Sequence, residues 1–178
     1  PTPENPLILE KLAEILESLP SVQNFVPKLT PLPGDTQDYY NIQLSKFYPT
    51  GNQFPVITME YTIVRSEEIL NAEHGQLFIT IWYQKGEPED AFEQARQIAV
   101  DVRQTINRNK GEPFNEFELD GDDYVGGLRV NRCIRQAEEY GYNENKEKHF
   151  YSIIFAIVKS DDEDFNQDYG PDEDIVWP

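Results

Sequence analysis

The stretch Gln76-Leu77-Phe78-Ile79-Thr80-Ile81-Trp82-Tyr83 decides how this chain folds, because it is apolar on both sides. Successive side chains of a β-strand point to opposite faces. Leu77, Ile79 and Ile81 therefore share one face, and Phe78 and Trp82 the other. Such a strand is either central and covered twice, or covered once by its own helices and once by a neighbouring subunit. The pattern leaves both open. Upstream, Pro55 to Val64 alternates strictly. Ile57, Met59, Tyr61 and Ile63 point one way, with Thr58, Glu60 and Thr62 opposite, as in a half-buried strand. The charged segment Ser66 to Gly75 between the two is long for a tight turn and reads as a loop.

Helices flank this pair. Asn5 caps the first, Pro6 occupies its first position, and Ile8, Leu12, Ile15, Leu16 and Leu19 recur at helical spacing. Pro20 is expected to end it. The second opens at Pro88, with Glu87, Glu89 and Asp90 at its positive end. Ala91, Phe92, Ala95, Ile98, Ala99, Val102 and Ile106 form its stripe, and Lys110 and Gly111 close it.

Between helix and strands, residues 20–36 carry Pro20, Pro27, Pro31, Pro33 and Gly34 and read as an extended loop. A strand is expected over Tyr39 to Leu44, before Pro49, Gly51 and Pro55 break the chain. Past the second helix, Glu112 to Asp123 reads as an acidic loop and Tyr124 to Ile134 as a strand. The polar stretch Glu138 to Lys148 reads as an exposed turn or long hairpin tip, and Phe150 to Val158 as a strand rich in aromatic and β-branched residues. The fold class is α+β: an antiparallel or mixed β-sheet with two helices packed on it. Residues 1–160 form a single domain. Residues 161–178, with eight acids (Asp161, Asp162, Glu163, Asp164, Asp168, Asp172, Glu173, Asp174) and no Lys or Arg, form an acidic tail.

Charge narrows the function classes. Fifteen Lys and Arg face 33 Asp and Glu, a net charge of −18. Phosphate backbones and anionic membrane surfaces are bound through cations, so both are disfavoured as partners. A cationic partner, or a wall that keeps DNA from sticking, is favoured. The longest apolar runs, such as Ile153 to Val158, fall far below the ~18 residues that span a bilayer. A Pro1 start suits removal of an initiator Met, and the first residues lack the pattern of a secretory signal. A lone cysteine, Cys133, fits a reducing compartment.

Catalytic and metal-binding patterns are not found. His74 and His149 have no ligand partner at helical spacing and read as surface residues. Cys133 lies beside Arg132 and Arg135, cations that lower a thiol pKa when close. Without a positioned base, however, it reads as a structural cysteine. Asp164, Asn166 and Asp168 alternate as calcium ligands do, but Gly170 comes one place late and the twelfth-position Glu is missing. Gly126-Gly127 lacks a phosphate-loop context and reads as a bulge or turn. The expectation is therefore a non-enzyme with no catalytic residue, no cofactor and no metal.

The order of elements is similar to that of the tail terminator and tail completion proteins of long-tailed bacteriophages. Four parts carry the likeness across residues 6–159. They are the N-terminal amphipathic helix, the strands Pro55-Val56-Ile57-Thr58-Met59-Glu60-Tyr61 and 76–83, the helix opening Pro88-Glu89-Asp90-Ala91-Phe92, and a closing pair ending Phe150-Tyr151-Ser152-Ile153-Ile154-Phe155. The acidic extension after Lys159 departs from the pattern. The resemblance implies a homohexameric ring that caps the tail tube and receives the filled head. Its partners would be itself, the tube and neck or connector proteins, with no membrane and no specific nucleic-acid binding, although DNA passes through the ring. The protein would belong to the virion and assemble in the host cytoplasm. Phe78, Trp82 and Trp177 are the candidate subunit interface, and Asp120, Asp122 and Asp123 the candidate acidic lumen or partner surface. The alternatives are another head–tail connector component (adaptor or stopper) and an acidic DNA-mimic inhibitor.

Overall fold

The computed structural model describes residues 7–29, 39–44, 53–67, 72–106, 114–120 and 123–160. Asn5, Pro6, Pro31, Pro33, Gly34, Pro49, Gly51, Lys110, Gly111 and the 161–178 tail lie outside this set. Among the described residues the fold is α+β. Helix α1 (Leu7–Glu17) carries Ile8, Leu12, Ile15, Leu16 and, just beyond it, Leu19 into the core, as their spacing requires. Pro20 ends α1 but also opens a second helix, α2 (Pro20–Phe25), which corrects the expectation of a loop from residue 20. A proline breaks a helix interior because it lacks an N–H, yet at a first helical position that N–H has no partner to lose. Asp101 accepts from the Ser21 amide at 3.1 Å and fixes the start of α2.

The expected strand Tyr39 to Leu44 is broken at Asn41. Strands β1 (Lys28–Leu29) and β2 (Tyr39–Tyr40) form a small antiparallel sheet, and β3 (Ile42–Leu44) joins the main one. Asn41, 4% exposed, is the joint. Its amide donates to the Pro27 carbonyl and its Nδ2 to the Gln53 carbonyl, both at 2.8 Å, and its own carbonyl accepts from the Ile57 amide at 3.0 Å.

The main sheet has the order β3-β4-β5-β8-β7-β6. Its other members are β4 (Val56–Glu67), β5 (Ala72–Tyr83), β6 (Glu116–Asp120), β7 (Asp123–Asn143) and β8 (Lys148–Ser160). Among the described strands only β3 with β4 is parallel, so the sheet is mixed. Two expected loops are strand. The Ser66–Gly75 segment belongs largely to a hairpin pairing Glu67 with Ala72. Glu138–Asn143 pairs with β8, leaving the turn at residues 144–147. Both segments read as loops because they are polar. Over residues 129–143, β8 is the only strand paired with β7 among the described residues, and charged residues at a sheet edge discourage further pairing. The acidic segment expected as a loop contains β6. Its pairing with β7 shifts register between Glu118 and Leu119, placing a bulge beside Gly126 as that Gly-Gly pair suggested.

The three described helices pack on one face. Met59, Ile79 and Ile153 lie side by side across β4, β5 and β8, and Tyr61, Leu77 and Phe155 form the next row. Helix α3 (Ala91–Ile106) lays Ala91, Ala95, Ile98, Ala99, Val102 and Ile106 over these rows. Each large aliphatic side chain so buried contributes about 1.5–3 kcal/mol. The alternation of β4 continues beyond the helical layer, so Ile63 is 56% exposed.

Gly75 is required by its neighbour. A Cβ there would lie 2.5 Å from Cε1 and Cζ of Tyr61, whose ring crosses over it. Tyr61 cannot swing aside freely, because its hydroxyl donates to Glu73 at 2.8 Å and Glu73 also pairs with Lys159 at 3.5 Å. Gly75→Ala is expected to destabilise by about 1–3 kcal/mol, the usual range for overpacking. In a Tyr61→Ala background the same change should cost far less, and a double-mutant cycle from denaturant unfolding checks this coupling.

Candidate functional site

Among the described residues, Cys133, His74 and His149 lie apart from one another. Cys133 is fully buried in β7, facing the helices, and burial pushes its thiol up to about 12. Arg132 and Arg135 do not reverse this, for both are exposed while the thiol is enclosed. His74 lies on the sheet face opposite the helices. His149 stacks on Tyr83 on the helical side, with ring centroids 5.6 Å apart. No group of three or more His, Cys, Asp or Glu among the described residues could hold a metal ion. No helix among them is long and apolar enough to cross a membrane. The candidate calcium residues Asp164, Asn166 and Asp168 lie outside the described set.

What the structure does build is surface. No described helix packs on the second face of the sheet. At one end Trp82 is 9% exposed, closed in by Val56, Phe54 and Phe150. Its indole donates to Thr58 Oγ1 at 2.9 Å. The next row pairs the Thr80 and Ser152 hydroxyls at 3.0 Å. Beyond it Phe78, Ile154, Ala156 and Ile134 stand half-buried on the open face. A further row, Arg65, His74, Val158 and Arg132, crosses four strands at the far end. Phe78 and Trp82 thus share this face, Trp82 within a small satellite core and Phe78 half-buried beyond it.

A second surface lies on the helical side, past the start of α3. Tyr83, Phe92, Tyr140, Tyr142, His149 and Tyr151 form a continuous aromatic cluster. Tyr140 stacks on Tyr151 at 5.8 Å, and Phe92 meets Tyr140 edge-on at 5.5 Å. Tyr140, Tyr142 and Phe92 are 68%, 51% and 39% exposed. Phe92, expected within the buried stripe of its helix, instead sits at the first turn, where its neighbours are these tyrosines. Glu138 anchors the cluster from beneath, accepting from Arg103 of α3 at 3.0 Å and Arg135 at 2.7 Å. Between Tyr83, Tyr142, His149, Glu87 and Glu147 opens a shallow cleft of about 290 Å³. Reading Glu138 to Lys148 as a turn hid this surface, although the period-two pair Tyr140 and Tyr142 is a strand signal.

The acidic candidates lie elsewhere. Asp120 and Asp123 face each other as backbone partners at the tip of the β6–β7 hairpin, beyond the Arg129 end of the sheet. Asp122 and Trp177 lie outside the described residues.

No family model matches the chain, and no curated protein matches it. Among solved structures, a chain of the virion of a native gene transfer agent particle is similar at 10% identity and a TM-score of 0.41. The match covers 67% of this chain and 78% of that one. No family is assigned on this likeness.

Cys133 should resist alkylation in the folded protein at pH 7–8 and react once the chain is unfolded. Its raised thiol pKa also fixes a sign. The folded state holds the proton up to about 12, whereas an unfolded cysteine releases it near ~8.5. Stability from this group is full below that lower value and is lost as pH rises through the upper one. Tyr61, raised first by burial and then by Glu73, adds in the same direction. Thermal unfolding should therefore fall in temperature from about pH 9 upward, less steeply in Cys133→Ala.

Proposed function

We propose that this chain is a structural subunit of a long-tailed, phage-like virion: a tail terminator that closes into a homohexameric ring on the end of the tail tube. The reading is carried by the open sheet face. Phe78, Ile154, Ala156 and Ile134 stand there together, with no described helix over them, whereas the opposite face is covered by three. A contiguous apolar strip that no described helix covers supports a surface that meets another protein. The likeness to tail terminator proteins supplies the kind of assembly.

On this reading the partners are further copies of the chain, the tail tube and the neck or connector proteins. The protein acts by shape and charge, without catalysis, metal, cofactor or membrane. A net charge of −18 suits a ring through which DNA must slide, because carboxylates repel phosphates where Lys and Arg would hold them. The Asp120–Asp123 hairpin tip is the proposed lumen or partner surface. An adaptor or stopper would also form a ring, but at a different level of the neck.

Electron microscopy of assembled tails carrying a labelled copy tests this. The expected result is a six-fold ring at the head-proximal end of the tube. A single copy, or a position off the tail axis, would overturn the assignment. Bare duplex DNA should show no binding to the protein at physiological salt, as checked by fluorescence anisotropy. A tight complex lost on replacing Arg129 and Arg132 would show instead that a local cationic patch outweighs the net charge.

A further inference from the structure

The two surfaces complement each other and cannot meet within one molecule. The cationic row Arg65, His74, Val158, Arg132 crosses the open face at one end of the sheet, with Arg129 in the adjoining row. On this face β7 contributes Arg129 and Arg132, whereas Arg135 faces the helices and pairs with Glu138. The aromatic cluster lies on the opposite face at the other end. From Val158 to His149 along β8 the separation is roughly 30 Å at about 3.3 Å per residue. The aromatic end is also acidic: residues 83–93 and 139–149 hold seven carboxylates against three lysines. Exposed tyrosines with carboxylates around them favour guanidinium, which stacks on an aromatic face and pairs with an acid at once.

Building on the ring reading above, we propose that the occupant of each surface is a second copy of this chain. The Tyr140–Tyr142–Phe92 patch of one subunit seats on the open face of the next at its Arg132 end, with Phe78 and Ile154 beneath the contact. Such a contact is heterologous: one subunit offers the aromatic end and its neighbour the arginine row. Repetition of a heterologous contact produces a closed ring when the rotation closes. An isologous contact, in which one patch meets itself, stops at a pair.

Two variants separate these cases. Tyr140→Ala/Tyr142→Ala disables the aromatic end, and Arg132→Glu disables the arginine row. All three positions are exposed, so both variants should melt within a few degrees of wild type, which is measured first. Native mass spectrometry then follows wild type, each variant, and their equimolar mixture, both in solution and on purified tail tubes. The expected result is a ring for wild type, monomers for each variant alone, and a one-to-one pair for the mixture, joined by the single contact still intact. Rings formed by both variants would leave the ring reading standing and overturn this interface. Absence of a ring from wild type in both settings would overturn the ring reading and this interface with it. Pairs formed by either variant alone would mean an isologous contact and would also overturn the proposal.

Discussion

The structure depends on how its apolar surface is shared between two sides of one sheet. β4, β5 and β8 are hydrophobic on the helical side over their middle stretches, and α1, α2 and α3 enclose that side with buried Leu, Ile, Val and Ala. β5 and β8 carry apolar residues on the other side as well: Phe78 and Trp82 on one, Phe150, Ile154 and Ala156 on the other. Among the described residues only the Trp82 end of that second side is closed, by a small cluster with Val56 and its neighbours. The rest of the strip draws its half-burial from neighbouring strands. An energetic asymmetry follows. Changes on the helical side open cavities or bury charge, which cost several kcal/mol. Changes on the open side, away from the Trp82 cluster, meet no described helix and should cost less.

Much of this was legible in the sequence where periodicity was clean. Ile57 and Met59 against Thr58 and Glu60 define a strand with one core face, and the Ala95, Ile98, Ala99, Val102 spacing defines α3. The two-sided apolar pattern of β5 left open whether it was a central strand covered twice or one covered on its second side by a neighbouring subunit. Polar strands were hidden. Glu138, Glu139 and Asn143 resemble a turn because β7 runs at a sheet edge over that stretch, where side chains need not be apolar. Pro20 was ambiguous because the same residue terminates one helix and initiates another. Long-range pairings left no local trace: Asn41 joining Pro27, Gln53 and Ile57, or Tyr61 lying across Gly75, appear only once the chain is folded.

The same holds for surfaces. Phe92, Tyr140, Tyr142, His149 and Tyr151 are spread over some sixty residues and three elements, so no motif announces the cluster they form. The net charge was visible at once, yet its distribution was not. Arg132 reaches the open face, as Arg129 does, because the register shifts after Val130, and the shift after Arg135 turns Glu138 to the helical side, where it meets Arg135. A strand without those bulges would present a different set.

The central claim is that the two faces of β5 have different jobs, and adjacent residues test it. Phe78→Asp and Ile79→Asp place the same charge one position apart on opposite sides of one strand. Thermal unfolding of the two variants, read by circular dichroism, is the direct measurement. The account predicts that Ile79→Asp fails to fold, because an unpaired carboxylate would sit in the helical core. Phe78→Asp should keep the wild-type spectrum and lose only a few degrees. Equal loss of structure in both variants would contradict the account, because the Phe78 side would then belong to the chain's own core and have no partner to await.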